Sequence, residues 1–192
     1  MAEQSARTTS GGMNLPNQIT VARLIVSVIM FVTIPLGWYW ISLILFVLAA
    51  GTDWLDGYIA RKYNLVTQLG RILDPFADKL LICGVFIFLA AEANSGIAAW
   101  MAVIVVAREL LITAIRSFLE THGADFSANM AGKLKMVFQC AAVVASFLLL
   151  AMSDAPTWLP MVVTALAWLA VLSTVYSGAG YVFKAIGLLK TL

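Results

Sequence analysis

Six long apolar stretches dominate this chain and limit what it can fold into. They cover residues 19–36, 40–62, 72–92, 97–119, 133–152 and 160–184. The hydrocarbon core of a bilayer is roughly 30 Å thick, and an α-helix of about 20 apolar residues crosses it. The connections between the stretches are short, so consecutive helices should pack antiparallel in one bundle. The pattern therefore predicts an all-α, polytopic membrane protein with six transmembrane helices.

The composition excludes most other classes of protein. Of the 192 residues, 62% are hydrophobic and only 11% are charged, whereas about 25% of the residues in a soluble domain are charged. A folded chain of this size still exposes about 30% of its unfolded-state surface, so it could not hide so many apolar side chains from water. The net charge of +2 does not suggest nucleic acid as a partner. Cys83 and Cys140 lie inside apolar stretches and are expected to be packing residues rather than a disulfide or metal site. His122 has no second His or Cys nearby, which disfavours a zinc site.

The basic residues are distributed unevenly among the connections, and this predicts the orientation. Lys and Arg lie near the first stretch, in the second and fourth connections and at the C-terminus, whereas segments 37–39, 93–96 and 153–159 contain none. Because short loops rich in Lys and Arg stay on the cytoplasmic side, both termini should be cytoplasmic. Residues 1–13 are small and polar, and we expect a disordered tail with no removable signal peptide. Residues 14–192 then form a single membrane domain, which could begin with a short interfacial helix.

Four aspartates stand out because they lie in or beside the apolar stretches. Asp53, Asp56, Asp74 and Asp78 fall within 26 residues, and a carboxylate at the centre of a transmembrane helix costs about 2.5–3.5 kcal/mol. The two pairs are spaced i,i+3 and i,i+4, so each pair projects from one helix face. Antiparallel neighbours would bring all four carboxylates to a similar depth near the cytoplasmic side. Four carboxylates without His or Cys suit Mg²⁺ or Mn²⁺, and their number suggests two ions.

Several neighbouring residues have two interpretations. Arg61 either binds a phosphate or extends to the membrane surface, and Gly51 either admits a ligand or allows close helix packing. Asn17 and Thr20 either bind a ligand or cap the first helix. Pro75 should lie in the first turn of the third helix, where its missing N–H does no damage. The aspartates could alternatively be paired only with nearby basic residues: Arg61, Lys62, Arg71 and Lys79.

Together these positions form the motif Asp53-x2-Asp56-Gly57-x2-Ala60-Arg61-x8-Gly70-x3-Asp74-x3-Asp78. The motif resembles the signature of the CDP-alcohol phosphotransferase family, whose eight fixed positions all match. The resemblance implies a six-helix membrane enzyme in which two divalent ions, Mg²⁺ or Mn²⁺, hold the diphosphate of a CDP-linked donor. It implies that the ions are bound by Asp53, Asp56, Asp74 and Asp78.

The resemblance also implies roles for individual residues around the ions. Asp78 would act as the general base on the acceptor alcohol. The donor would be bound by Gly57, Ala60, Arg61, Thr67 and Gly70. Asn17 and Thr20 resemble the family's Pro-Asn-x-x-Thr segment near the nucleotide.

A second set of charges predicts the acceptor. Arg108 and Arg116 are eight residues apart in the fourth stretch, close to one helix face, and Lys133 and Lys135 begin the fifth stretch. These four residues would form a basic cup for an anionic acceptor such as a polyol phosphate. The alternatives are an Arg108–Glu109 pair and lysines that only extend to the membrane surface.

Segments 108–116 and 132–135, with the opening residues 14–23, resemble the bacterial phosphatidylglycerophosphate synthase branch of this family. That branch implies CDP-diacylglycerol as donor, sn-glycerol 3-phosphate as acceptor, and a multi-pass location in the bacterial inner membrane, among membrane lipid. The family often forms homodimers, and no interface can be assigned from the sequence. The alternatives are a synthase that uses inositol phosphate, serine or phosphatidylglycerol and, outside the enzymes, a divalent-cation transporter.

Overall fold

The computed structural model describes residues 15–63, 68–121 and 130–189. These ranges contain six α-helices and no strand: α1 Leu15–Thr33, α2 Tyr39–Tyr63, α3 Gln68–Ala91, α4 Ala99–Thr121, α5 Met130–Ala151 and α6 Leu159–Leu189. Each apolar stretch corresponds to one helix, and the all-α prediction is confirmed. The predicted tail 1–13 and the candidate donor-binding residue Thr67 lie outside the described residues.

In the described part of the chain, two helices are by length and composition apolar enough to cross a membrane, through the segments Gly132–Ala151 of α5 and Leu159–Gly187 of α6. Shorter apolar segments, Asn17–Thr33 and Tyr39–Thr52, occur in α1 and α2. A membrane crossing by all six helices remains a prediction.

The helices form one bundle with α3 at its centre. Within the described residues, α3 packs against α1, α2, α4 and α5, whereas α1 packs against α2 and α3 and α6 packs against α4 and α5. Helices α1 and α6 therefore lie on opposite sides of the bundle. The core contains fully buried aromatic and aliphatic side chains from all six described helices, including Met30, Phe46, Phe86, Val105, Phe147 and Ala167.

Contacts along α1 and α3 show that these two helices run parallel. Thr20 contacts Asp74 near the start of both helices, and Phe31 lies over Gly84 farther along. A Cβ atom at Gly84 would come within 2.2 Å of the Phe31 ring, so the close approach requires glycine. Phe31 also stacks on Phe88, with ring centroids 5.2 Å apart. This packing sets the register that places Thr20 beside Asp74.

Helices α4 and α6 also run parallel. Trp100 and Trp168 lie with ring centroids 5.2 Å apart, and farther along Arg108 donates a hydrogen bond to Ser177. Because consecutive helices alternate in direction, the starts of α1, α3 and α5 share one end of the bundle with the ends of α2, α4 and α6. We call this the charged end. The other end, which carries the connections 34–38, 92–98 and 152–158, is called the distal end.

Two expectations about individual residues of α2 and α3 are corrected. Helix α3 begins at Gln68, so Pro75 is its eighth residue and does not lie in the first turn. The helix starts earlier than the apolar stretch because polar residues extend it. Inside a helix, proline lacks the N–H that would bond to the carbonyl four residues earlier. Close packing also does not explain Gly51, because no atom lies within 4 Å of a Cβ placed there.

Candidate active site

Helices α1 and α3 bring Thr20 and Asp74 together at the charged end. Thr20 is fully buried, and its Oγ1 donates a hydrogen bond of 2.6 Å to Oδ1 of Asp74. Thr20 is the sixth residue of α1, so the helix-cap interpretation is wrong for this residue. The hydroxyl engages one carboxylate oxygen and so orients the group, as outer-shell hydrogen bonds do for carboxylates that bind metals.

Asp78 lies one turn beyond Asp74 on the same face of α3, and both residues are partly exposed. Lys79, one of the alternative partners for the aspartates, donates a hydrogen bond of 3.2 Å to the carbonyl of Pro75. Asn17 and Gly70 are buried at the same end.

The other half of the motif lies on α2, which packs against α3. Asp53 and Asp56 belong to the last turns of this helix, at the charged end. The structure does not describe the side chains of these two aspartates or the surroundings of Gly57. The same holds for the side chains of Ala60, Arg61, Lys62 and Arg71. Among the side chains that are described, no three metal-binding residues come together. The convergence of all four aspartates therefore remains a prediction from helix register.

A second group of charges is organised by Glu109 on α4. Glu109 is only 7% exposed, and its Oε1 accepts a hydrogen bond from Nζ of Lys135 on α5. Nη1 of Arg108 lies 3.2 Å from Oε1 and 3.3 Å from Oε2 of the same carboxylate. Nη2 of Arg108 donates to Oγ of Ser177 on α6 at 2.8 Å. One buried carboxylate and its two cationic partners thus connect three helices.

Tyr181 on α6 holds the two arginines on one side of this group. The guanidinium carbons of Arg108 and Arg116 lie 5.7 Å and 5.9 Å from the centre of its ring, within the range of a cation–π interaction. The i,i+8 spacing on α4 therefore does direct both arginines to one neighbour. We call Arg108, Glu109, Arg116, Lys135 and Tyr181 the basic cluster.

Lys133 does not belong to the basic cluster, contrary to the predicted convergence. It is exposed and lies in a groove between α5 and α6 that is lined mainly by Met130, Leu134, Val137, Tyr176 and Phe183. Positions two apart on a helix point in nearly opposite directions. Lys135 faces inward toward Glu109, so Lys133 faces outward.

The alternative Arg108–Glu109 pair is present, but as part of a larger arrangement. Sequence reasoning missed the bond between Glu109 and Lys135 and the contributions of Ser177 and Tyr181. For Glu109 a signal existed, because it is an acid in a long apolar stretch. Ser177 and Tyr181 are unremarkable in an apolar helix, and only packing shows their contacts.

The basic cluster and the aspartate pair occupy the same part of the bundle. Helix α3, which carries Asp74 and Asp78, packs against α4 and α5, which carry Arg108, Glu109, Arg116 and Lys135. A molecule held by the basic cluster would therefore lie at the same end of the bundle as Asp78.

Residues 13–176 match the model of the CDP-alcohol phosphatidyltransferase family. The chain belongs to this family. The match covers the whole aspartate motif and every helix except the last part of α6. Membership confirms the resemblance drawn from the motif and the prediction that the protein is an enzyme, a transferase. The transporter alternative has no comparable support.

Relatives align with this chain along almost its whole length. One from Bacillus subtilis (strain 168) is 39% identical over 196 residues, which covers 93% of this chain and 98% of the relative. Another, from Rickettsia bellii (strain RML369-C), is 37% identical over 177 residues, covering 90% and 94%. Both are named CDP-diacylglycerol--glycerol-3-phosphate 3-phosphatidyltransferase.

Proposed function

We propose that this enzyme transfers the phosphatidyl group of CDP-diacylglycerol to sn-glycerol 3-phosphate and releases CMP. The observation that carries the proposal is the basic cluster, which gathers three cations at the end of the bundle where Asp78 lies, in a family whose members transfer phosphatidyl groups. The names of the relatives from Bacillus subtilis and Rickettsia bellii support the same donor and acceptor.

The burial and hydrogen bonding of Arg108 and Arg116 support a phosphorylated acceptor. The Nε atoms of Arg108 and Arg116 are buried and have no hydrogen-bond acceptor among the described residues. Buried donors nearly always have a partner, and phosphate oxygens form strong charge-assisted hydrogen bonds with guanidinium groups. Arg108, Arg116 and Lys135 are therefore assigned to the phosphate of glycerol 3-phosphate. Serine or unphosphorylated inositol would leave these donors unpaired, and sites built for a hydrogen-bonding group reject analogues that lack it.

The donor site is assigned to the aspartate motif. Asp53, Asp56, Asp74 and Asp78 would bind two divalent ions, Mg²⁺ or Mn²⁺, and the partly exposed, Thr20-oriented carboxylate of Asp74 fits this role. When bound, the ions would neutralise the charge of the CDP diphosphate. Thr20 contributes by orienting Asp74. The remaining donor-binding assignments are Asn17, Gly57, Ala60, Arg61, Thr67 and Gly70.

The reaction follows from these positions. Asp78 accepts the proton of the acceptor hydroxyl as its oxygen attacks the phosphorus that carries the diacylglycerol. The new P–O bond forms while the bond from that phosphorus to the CMP oxygen breaks, and CMP leaves. The basic cluster holds the other end of the acceptor, so that the reacting hydroxyl is presented to Asp78 and the donor.

We further propose that all six helices cross the inner membrane of a bacterium, with the charged end and both termini in the cytoplasm. Large hydrophobic side chains are exposed on every helix, as expected for a surface in contact with lipid; examples are Val32, Val47, Ile87, Val103, Val137 and Leu172. Helix α6 has 31 residues, or about 46 Å at 1.5 Å per residue. It is therefore long enough to extend beyond the hydrocarbon core.

The decisive experiment measures CMP release by the purified protein from radiolabelled CDP-diacylglycerol. The acceptors to compare are glycerol 3-phosphate, serine, inositol, inositol phosphate and phosphatidylglycerol. We expect glycerol 3-phosphate to be the best acceptor, chelation to abolish turnover, and Mg²⁺ or Mn²⁺ to restore it. Preference for another acceptor would overturn the substrate assignment, and full activity in excess chelator would overturn the metal assignment.

A further inference from the structure

We propose that Glu109 is a positioning residue of the acceptor site, which holds Arg108 and Lys135 in the arrangement that receives a phosphate dianion. The inference rests on the proposed function, because it concerns the same basic cluster. Glu109 itself would not touch the acceptor, since a carboxylate repels a phosphate group.

The contacts of Glu109 support this role. Its Oε1 receives hydrogen bonds from both Nη1 of Arg108 and Nζ of Lys135, which come from different helices. Two cations that share one oxygen are held at a fixed separation, whereas without the carboxylate they would repel each other. Ser177 and Tyr181 then hold the remaining parts of Arg108.

The charge of the cluster points to the same ligand. Arg108, Arg116 and Lys135 carry three positive charges, and Glu109 removes one, which leaves a formal charge of +2. A phosphate monoester carries about −1.5 to −2 near neutral pH. The cluster thus matches a phosphate monoester in charge, and burial makes a close match more important because unpaired charges are costly there.

Replacing Glu109 with Gln separates positioning from simple attraction. If the cluster were only a source of positive potential, loss of the negative charge would strengthen phosphate binding and lower the KM for glycerol 3-phosphate. If Glu109 positions the cations, the same substitution raises that KM. The two models therefore predict changes of opposite sign.

The first test compares the wild-type protein with Glu109→Gln and Glu109→Asp in the CMP-release assay. We expect Glu109→Gln to raise the KM for glycerol 3-phosphate by about 10–100-fold, the scale of a lost charge-assisted contact, with little change in the KM for CDP-diacylglycerol. Glu109→Asp keeps the charge and should recover part of the loss. Glu92→Gln is the matched control, because Glu92 is a hydrogen-bonded carboxylate at the distal end, and neither KM should change.

The second test is a double-mutant cycle on α5. If Glu109 acts through Lys135, the effect of Glu109→Gln should be largely lost in a Lys135→Met background. Lys133→Met provides the comparison, since Lys133 lies on the outer face of the same helix. There the effect of Glu109→Gln should persist in full.

The outcomes distinguish the two proposals. If the wild-type protein does not use glycerol 3-phosphate, the proposed function fails, and binding of inorganic phosphate measured by calorimetry then tests the inference alone. If the wild-type protein is active and Glu109→Gln leaves the acceptor KM unchanged or lower, only the inference fails. A purely structural role would lower thermal stability and affect both substrates equally, and this result would also overturn the inference. If Glu109→Gln does not fold, Glu109→Asp provides the test. A rise in its KM for glycerol 3-phosphate without a rise in its KM for CDP-diacylglycerol would support the inference, and equal changes would overturn it.

Discussion

The two ends of the bundle use polar side chains in different ways. At the distal end, polar contacts join neighbouring segments in pairs: Tyr39 donates to Glu92 at 2.8 Å, and Ser146 donates to the carbonyl of Ser95 at 2.7 Å. At the charged end, the Glu109 carboxylate engages two cations, and the buried Nε atoms of Arg108 and Arg116 have no acceptor among the described residues. The comparison indicates that the distal end is closed by its own hydrogen bonds, whereas the charged end is built to bind something else.

The distal connections are also shaped by tight backbone turns. Gly37 and Gly96 have φ angles of +74° and +75°, and Val163 on α6 lies 2.5 Å from where a Cβ of Gly96 would be. These features describe an end whose shape is set by its own turns and packing.

The largest effect should come from Asp78, the proposed general base of the charged end. Asp78→Asn should lower kcat by about 10²–10⁴-fold, the usual contribution of a general base. Binding of CDP-diacylglycerol should remain measurable. Asp154→Asn, which changes an exposed carboxylate at the distal end, is the control and should leave turnover unchanged. Normal turnover by Asp78→Asn would remove the chemical distinction between the two ends.

The next effect concerns the acceptor. Arg116→Gln should lower kcat/KM for glycerol 3-phosphate by about 10–100-fold, since a hydrogen bond to a charged group is worth about 1.5–3 kcal/mol. The change should appear mainly in the KM for this substrate. Lys133→Gln should have a smaller effect because Lys133 lies in the outer groove. An equal or larger effect at Lys133 would place the acceptor outside the basic cluster.

A third substitution tests whether packing away from the charged end controls its geometry. Gly84→Ala would place a methyl group against Phe31, and overpacking of this kind costs about 1–3 kcal/mol of unfolding free energy. Because this contact sets the register of α1 on α3, activity per folded molecule should also fall. Gly51→Ala is the matched control, with open space at its Cβ, and should stabilise α2 by about 0.5–1 kcal/mol. Thermal unfolding in detergent measures both, and equal effects at the two glycines would contradict the role of Gly84.

The smallest effect should come from the distal end. Tyr39→Phe removes the hydrogen bond to Glu92 and should reduce the free energy of unfolding by about 0.5–1.5 kcal/mol. Activity per folded molecule should not change. A clear change in the KM for either substrate would show that the distal end is coupled to the site.

Local properties of the sequence were sufficient to predict the six helices and to identify the family. Apolarity over about 20 residues is a local property, so all six helices and their order could be predicted, with bounds that differ by up to five residues. The aspartate motif also lies within one short segment, and the family match confirms it. The start of α3 was missed because apolarity marks where a helix meets lipid or core, whereas residues 68–71, which include Gln68 and Arg71, continue the same helix.

Only the tertiary structure decided which helix faces meet. Thr20 and Asp74 are 54 residues apart in the chain, and Arg108 and Ser177 are 69 apart, so no local pattern links them. The sequence places Lys133 and Lys135 in the same basic segment, but the packing of α5 against α4 and α6 turns Lys135 toward Glu109 and leaves Lys133 outside. The physical reason is that a helix forms from neighbouring residues, whereas its rotation is determined by close packing, such as that of Gly84 against Phe31, between segments distant in sequence.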